Sequence, residues 1–414
     1  MNAAIVGGGI GGLALALYLQ RAGVACTLYE ASPGFSELGV GINLQPHAIR
    51  ALAELGLVDA LARVAVEPQE TCFFTRHGQL IHTEKLGLGA GYRWPQYSVH
   101  RGDLHDVLLT AMRERLGADA VVLGHRLTRV EQDERGVTLF WDDPAGRPRG
   151  TTRADVAIAC DGVHSAVRRQ FYPDEGPFAF GGINMWRGST RYRPILSGAC
   201  TVLAGSLGFG KLVIYPMRDY GDGTQLINWN VEVKSDAAGP NAWNRNGRLE
   251  DFLWRFEQSC FDWLDVPDLL ARADMVLEYP MVDRDPIPRW SFGRVSLLGD
   301  AAHPMYPRSG NGAAQAIIDA RTLAPLLAAL PPEAALAAYE AERLETVNRI
   351  VIASRNRPPD LIIETVEART GGARFERLED VIARDELSAI IDRFKHLVGG
   401  DLASVNRTEP PAAS

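Results

Sequence analysis

The pattern of apolar and polar positions predicts a βαβ unit at the start of the chain. Residues 3–6 form a short apolar run typical of a buried strand, and residues 13–21 are rich in Ala and Leu at helical spacing. Residues 25–29 have the composition of a second strand. A glycine-rich turn at residues 7–12 joins the first strand to the helix. We therefore predict an α/β fold that opens with a Rossmann-like unit.

The residue pattern changes in the middle of the chain to strand-like runs, which predicts a second and mostly β domain. Between residues 181 and 281 strand-like runs rich in aromatic residues dominate, whereas residues 294–298 return to a short buried strand before a helical pattern. We predict a discontinuous first domain at 1–175 and 285–360, and a second, substrate-sheet domain at 176–284. Some strands of the second domain are inserted into the first near 70–100. C-terminal helices at 361–400 and a disordered tail at 401–414 follow.

Composition narrows the class of protein. With 414 residues, 46% of them hydrophobic, the chain can bury a large core in two domains. The net charge of -8 and the absence of a Lys/Arg block argue against a nucleic-acid partner. Five scattered cysteines without a CxxC pair, and no apolar stretch long enough to cross a bilayer, argue against a metal site and a membrane partner. We expect a cytoplasmic protein.

The first turn has the form GxGxxG in the context that the motif requires, after a strand and at the start of a helix. Gly7 makes the turn, Gly9 lets a pyrophosphate approach, and Gly12 permits close packing of the helix. The helix N-terminus presents free N–H groups to phosphate. Glu30 follows about 20 residues on, where a carboxylate accepts hydrogen bonds from ribose hydroxyls. The pattern predicts an ADP-containing cofactor but does not choose between FAD and NAD.

Two further segments decide the cofactor. Residues 154–168, which contain Asp161 and Gly162, and residues 299–304, which begin Gly-Asp, follow the turn in order. Together the three segments resemble the fingerprints of the para-hydroxybenzoate hydroxylase family of single-component FAD-dependent aromatic hydroxylases. The resemblance implies a Rossmann-like FAD domain interleaved with a mostly β substrate domain. It also implies that Asp300 binds the flavin ribityl chain and that Asp161 with Gly162 serves FAD and the transient nicotinamide cofactor.

The same resemblance implies the remaining cofactor contacts. Arg101 begins a helix from which the guanidinium reaches the FAD phosphates, and the stretch 38–43 runs beside the flavin ring. Backbone N–H groups at a helix start stabilise negative charge on the reduced ring. Relatives show GQG and then Asn here, whereas this chain has Asn311 between two glycines, so the role of that side chain stays open. The expected cofactor-binding residues are Gly7, Gly9, Gly12, Glu30, Ala31, Val40, Gly41, Arg101, Leu127, Asp161, Asp300, Gly312 and Ala313.

Segments in both predicted domains are similar to one subgroup of this family, the phenazine monooxygenases. These segments are residues 39–45, 94–98, 185–188, 243–245 and 279–285. The subgroup's reaction is an oxidative decarboxylation of a methylated phenazine carboxylate. Aromatic residues can wall a flat ring pocket, and an arginine can meet a substrate carboxylate. The candidate substrate contacts are Asn43, Arg187, Tyr215, Trp229 and Tyr279.

The resemblance implies that NADH or NADPH reduces a tightly bound, non-covalent FAD, which with O2 then hydroxylates a small aromatic substrate. The protein contributes orientation, a water-poor cavity and electrostatic support of the reduced flavin. Three alternatives stay open: a salicylate- or 3-hydroxybenzoate-type hydroxylase of a single ring, a flavin oxidase or dehydrogenase, and a flavin-holding binding protein without turnover. A Walker-like stretch ending at Lys211 lacks the required Ser or Thr and predicts only a β-turn. We expect a monomer or a homodimer.

Overall fold

A computed structural model of the chain describes residues 1–35, 40–236, 245–356 and 360–407. The strands are β1 (Asn2–Val6), β2 (Ala25–Tyr29), β3 (Gly41–Leu44), β4 (Ala65–Val66), β5 (Glu70–Phe74), β6 (Leu80–Lys85), β7 (Tyr97–His100), β8 (Val121–Val122), β9 (Arg126–Asp133), β10 (Gly136–Asp142), β11 (Pro148–Ala154), β12 (Val156–Ala159), β13 (Ala179–Tyr192), β14 (Cys200–Ala204), β15 (Lys211–Asp219), β16 (Gln225–Lys234), β17 (Arg245–Asn246), β18 (Cys260–Phe261), β19 (Leu264–Asp265), β20 (Val276–Asp283), β21 (Ser291–Phe292) and β22 (Val295–Leu297). The helices are α1 (Ile10–Arg21), α2 (Pro46–Glu54), α3 (Val58–Ala62), α4 (Arg101–Leu116), α5 (Ala166–Phe171), α6 (Val266–Ala271), α7 (Gly312–Ala329), α8 (Pro332–Asn356), α9 (Leu361–Thr370), α10 (Arg384–Leu397) and α11 (Leu402–Asn406).

The first sheet has six strands in the order β21-β22-β12-β1-β2-β8. The strand β1 pairs in parallel with β2 on one side and β12 on the other, which confirms the predicted βαβ start. The helix α1 is buried on most of its surface because it packs against β1, α4 and α7. Full burial explains why its sequence is apolar on nearly every face.

The second sheet has eight strands in the order β17-β20-β13-β16-β15-β14-β5-β6. The strands β5 and β6, which lie early in the chain, join it through a parallel pairing of β5 with β14. One face of this sheet packs on an aromatic core around Trp186, Trp229 and Phe252. The other face lines a cavity. The predicted fold class is confirmed, and the domain boundaries remain a prediction.

The C-terminal helices close one end of the molecule. The helices α9 and α10 pack on β5 and β6 through a cluster that includes Phe73, Ile81 and Ile391. Among the described residues, no helix is both long and apolar enough to cross a bilayer.

The prediction of a disordered tail from residue 401 was wrong for its first part. The side chain of Asp401 caps α11 by accepting a hydrogen bond from the Ser404 N–H at 3.0 Å, and Val405 is buried. The Asn406 side chain donates to the Gly91 carbonyl at 2.9 Å and accepts from the Arg93 N–H at 2.9 Å. Distant contacts therefore order a segment that looks locally unstructured, while residues 408–414 lie outside the described residues.

Candidate cofactor and substrate site

A cavity of about 750 Å³ is lined by residues from both large sheets and from the C-terminal helices. The glycine turn lines one part of it and the eight-stranded sheet forms a wall. The start of α7 and the loop that carries Asp300 contribute a third side. Its volume is within the range of cavities that enclose small organic ligands.

The three motif glycines have different surroundings. A Cβ atom added to Gly12 would lie 2.0 Å from the Gly7 oxygen, and one added to Gly7 would lie 2.4 Å from the Cys160 oxygen. The Gly7 backbone has φ of 102°, a conformation that other residues rarely adopt. A Cβ on Gly9 would meet no described atom within 4 Å, and Gly9 lines the cavity. Two glycines therefore hold the turn together, and the third leaves space at the α1 N-terminus that fits a pyrophosphate.

Glu30 stands beside this turn at the end of β2. Its Oε2 accepts a hydrogen bond from the Gly8 N–H and its Oε1 accepts one from the Ser32 N–H, both at 2.8 Å. The backbone thus fixes the carboxylate next to the phosphate space. Ala31 follows it, and Leu127 is buried in the apolar core. Neither of these two residues lines the described cavity, so their contact with a cofactor stays a prediction.

Asp161 connects the first sheet to α5. Its Oδ2 accepts a hydrogen bond from the Ala166 N–H at 2.8 Å, and its Oδ1 has no partner among the described residues. Burial raises the pKa of this carboxyl above its ordinary value. The neighbouring Gly162 lines the cavity. Asp161 therefore shapes the strand-to-helix turn whose backbone borders the cavity.

Four of the predicted flavin contacts, Arg101, Asp300, Gly312 and Ala313, line the same cavity as the glycine turn. Arg101 is the first residue of α4, and its exposed side chain lines the cavity. The exposed Asp300 carboxylate lies 3.8 Å from the Cβ position of Gly312, at which α7 begins. The free N–H groups of the first α7 turn at Gly312 and Ala313 thus stand beside a carboxylate at the cavity wall.

A buried ionic network that the sequence analysis missed supports the Asp300 loop. The Asp319 Oδ2 accepts from the Gly299 N–H at 3.2 Å and lies 2.6 Å from the His303 Nε2, while its Oδ1 accepts from the Arg343 Nε at 2.8 Å. Burial alone would raise the pKa of Asp319, but His303 and Arg343 hold it below its ordinary value. The carboxylate stays charged and anchors the residue that precedes Asp300.

Four of the five candidate substrate residues line the cavity: Asn43, Arg187, Tyr215 and Tyr279. The Arg187 Nε donates to the Asn230 Oδ1 at 3.0 Å, and its Nη2 donates to the Gly41 carbonyl at 2.9 Å. Both partners are neutral, and no acidic side chain among the described residues pairs with this guanidinium. Burial raises the pKa of Tyr215 to about 12, so its phenol stays protonated beside Arg187. The wall therefore combines flat aromatic rings with an uncompensated positive charge.

The fifth candidate, Trp229, was wrongly predicted to contact substrate. Its side chain is fully buried on the opposite face of the sheet, where it packs on Phe252 and its Nε1 donates to the Thr190 Oγ1 at 3.1 Å. Side chains alternate between the two faces of a strand. In β16 it is Asn230 and Glu232 that line the cavity.

The cavity also contains a set of buried charges that no sequence motif indicated. Lys211 and Arg308 meet the carboxylates of Glu232 and Asp360, and all but Asp360 line the cavity. We call these four residues the charged quartet. Glu232 interrupts the apolar part of β16 and Lys211 begins the apolar β15, and these two charges were the available sign of a polar site.

Comparison with known proteins decides the family. Residues 1–354 match the family described as FAD binding domain. The chain belongs to that family. It is 42% identical over 361 residues to a phenazine 1,6-dicarboxylic acid hydroxylase of Lysobacter antibioticus, a match that covers 85% of this chain and 89% of the relative. It is 32% identical over 368 residues to a 6-hydroxynicotinate 3-monooxygenase of Pseudomonas fluorescens, a match that covers 84% of this chain and 88% of the relative.

Solved structures show the same fold. The Klebsiella pneumoniae HpxO complex with FAD and uric acid superposes with a TM-score of 0.76 at 25% identity, covering 95% of this chain and 96% of that one. A salicylate hydroxylase substrate complex superposes with a TM-score of 0.73 at 25% identity, covering 100% and 99%. The chain is thus an FAD-dependent monooxygenase of the aromatic hydroxylase type, and the predictions of enzyme class and of FAD are confirmed.

Proposed function

We propose that this enzyme uses NADH or NADPH and O2 to hydroxylate a carboxylated, fused heteroaromatic ring of the phenazine carboxylic acid class. Arg187 carries the proposal, because it places a positive charge with only neutral partners on the aromatic wall of the cavity. A guanidinium in that state favours a ligand carboxylate. The hydroxylase of Lysobacter antibioticus, whose substrate is a phenazine dicarboxylic acid, supports the substrate class.

The chain's own residues would bind and orient the reactants. Gly9 with the α1 N-terminus and Arg101 would hold the FAD phosphates, and Asp300 would hold the ribityl chain. The first N–H groups of α7 would stabilise negative charge on the reduced ring. When bound, FAD supplies the redox chemistry, taking a hydride from the nicotinamide and activating oxygen. The aromatic wall would exclude water while Arg187 fixes the substrate by its carboxylate.

Decarboxylation would accompany hydroxylation where the carboxylate marks the attacked carbon. Retention of a labelled carboxyl carbon in the product would contradict that step. The second candidate is a single-ring hydroxylase, which the 32% identity to a 3-hydroxybenzoate 6-hydroxylase of Polaromonas naphthalenivorans favours. An oxidase on the same fold would leave no oxygen-18 from O2 in its product.

The cysteines bear on the location of the protein. All five are unpaired in the structure, and free thiols are typical of reducing compartments. A cytoplasmic location follows from this as a proposal, and a monomeric or homodimeric state stays a prediction.

The test measures NADH and NADPH oxidation against phenazine carboxylates, salicylates and hydroxybenzoates, with product mass recorded. A phenazine acid that accelerates oxidation and gains one oxygen atom is the expected result. Arg187→Met should raise KM for that acid about 10- to 150-fold, the value of a charge-assisted hydrogen bond, without loss of FAD. The matched control is Arg191→Met, because Arg191 lies on the same strand but pairs with the exposed Asp222. An unchanged KM in Arg187→Met would refute the role of this residue.

A further inference from the structure

Two polar regions of the cavity, one around Arg187 and the other at the charged quartet, differ in charge. Near Tyr215, Arg187 has neutral partners only. In the charged quartet, every cation is paired with a carboxylate. The sheet register pairs Arg187 on β13 with Asn230 on β16, and Lys211 on β15 with Glu232 on β16. Arg187 and Lys211 are therefore two strands apart across the sheet and two residues apart along it. Ideal strand geometry gives about 12 Å between the Cα atoms of Arg187 and Lys211.

The quartet is bound together by short contacts. The Lys211 Nζ donates to the Glu232 Oε2 at 2.8 Å and to the Asp360 Oδ2 at 2.6 Å. The Arg308 Nη2 donates to the same Asp360 oxygen at 2.8 Å. The four side chains are between 1% and 9% exposed. Because β15, β16, the segment after Asp300 and the start of α9 each supply one residue, the quartet is a tertiary feature of the cavity.

The quartet's formal charges sum to zero. Burial alone would lower the pKa of Lys211, but Asp360 and Glu232 raise it above its ordinary value, so the ammonium is charged. Burial alone would raise the pKa of Asp360, but Lys211 and Arg308 hold it below its ordinary value. A further carboxylate, Glu364, accepts from the Leu207 N–H at 2.8 Å and acts on Arg308. No cation of the quartet is left to balance an added anion.

Hydrogen-bonding capacity nevertheless remains. A lysine ammonium has three N–H donors, of which Glu232 and Asp360 take two. Glu232 lines the cavity and can accept a further hydrogen bond. A neutral hydroxyl, amide or ring nitrogen placed here finds a partner, whereas an added carboxylate would be desolvated beside like charges.

We propose that the charged quartet is a specificity site that accepts a neutral polar group of the substrate and rejects a second carboxylate. The inference rests on the proposed function, in which Arg187 binds the first carboxylate. It sets this enzyme apart from the relative named for a phenazine dicarboxylic acid.

The test compares kcat/KM of the holoenzyme for phenazine-1-carboxylic acid and phenazine-1,6-dicarboxylic acid. The wild-type enzyme should prefer the monocarboxylate at least about tenfold, as expected when a buried carboxylate lacks a cation. Glu232→Gln gives the quartet a net charge of +1 and should shift the ratio toward the dicarboxylate by about tenfold or more. Asp360→Asn makes the same charge change from a position that does not line the cavity, so it should shift the ratio in the same direction.

Glu278→Gln is the matched control, because Glu278 lies in the same sheet on β20, two strands away from β16, and outside the cavity lining. It should leave the ratio unchanged. A wild-type preference for the dicarboxylate, or an unchanged ratio in FAD-loaded Glu232→Gln and Asp360→Asn, would overturn the inference while leaving the proposed function standing. If the wild-type enzyme hydroxylates neither acid, the proposed substrate class fails, and the inference with it.

Discussion

Two glycines of the glycine turn, Gly9 and Gly12, are expected to have different roles. Gly9 leaves space for the cofactor, whereas Gly12 allows close packing of the chain. Gly9 has φ of -75° and ψ of -177°, which alanine adopts without strain, and an added Cβ meets no described atom within 4 Å. At Gly12 the same Cβ would lie 2.0 Å from the Gly7 oxygen. Gly9→Ala therefore adds a methyl group to open space, whereas Gly12→Ala adds one where the backbone is already in contact.

The magnitudes follow from those surroundings. Gly9→Ala should change the free energy of unfolding of the FAD-free protein by at most about 1 kcal/mol, since it mainly restricts the unfolded chain. The methyl group would nevertheless keep a pyrophosphate from the α1 N–H groups, which costs about 1.5–3 kcal/mol and weakens FAD binding about 10- to 150-fold. Gly12→Ala forces the helix and the turn apart by roughly 1 Å or more, and overpacking of that kind costs about 1–3 kcal/mol.

Two assays on the deflavinated protein check this contrast. Urea unfolding gives the free energy of unfolding, and titration with FAD followed by flavin fluorescence gives Kd. We expect Gly9→Ala to weaken FAD binding while the free energy of unfolding falls little or not at all, and Gly12→Ala to lower the free energy of unfolding by about 1–3 kcal/mol. The reasoning would be refuted by a Gly9→Ala protein that binds FAD normally, or by one that is destabilised as much as Gly12→Ala.

Two further predictions concern Asp300 and His47. Asp300→Ala should yield protein that lacks tightly bound FAD or reduces it much more slowly, measured by flavin absorbance and stopped-flow reduction; normal content and rates would contradict it. Burial, reinforced by Arg343 and opposed by Asn311, lowers the pKa of His47 from 6.5 to about 4. Between these two pKa values the unfolded state binds a proton on His47 that the folded state does not bind. The contribution of the neutral, buried His47 to the free energy of unfolding is therefore fully present above pH 6.5 and is lost as the pH falls toward 4. The loss is about 2 kcal/mol at about pH 5. Urea unfolding at about pH 7.5 and about pH 5 should show a loss that His47→Asn removes, and equal losses in both proteins would exclude His47 as the cause.

Local patterns explain why the first part of the fold could be predicted. The turn from Gly7 to Gly12 depends on neighbours in sequence, so the strand, the turn and the helix could each be inferred from a few residues. The helix α4 begins at Arg101 as expected, and α7 begins at Gly312, where the N–H groups of a helix start were expected. The family follows from three such local segments read in order, which the match over residues 1–354 confirms.

The direction of side chains in the substrate sheet was harder to infer. Trp229 was chosen because an aromatic ring suits a ring pocket, but its strand is buried on both faces. The alternation of Asn228, Asn230 and Glu232 with apolar residues was the informative pattern, because polar side chains in a buried strand indicate the face that borders a cavity. Composition alone indicates a sheet, and only the register selects the face.

The charged quartet depends on contacts that no local pattern contains. Lys211 and Glu232 lie on neighbouring strands, but Arg308 and Asp360 come from segments far along the chain, and only the fold brings the four together. Stability is a poor explanation for such a group, because well-packed apolar residues commonly stabilise a core as well as a buried ion pair does. Three of the four line the same cavity as Arg187. The charges of all four together cancel, whereas Arg187 has only neutral partners. The selection of substrate by its number of carboxylates explains both the burial of these charges and their place in the cavity.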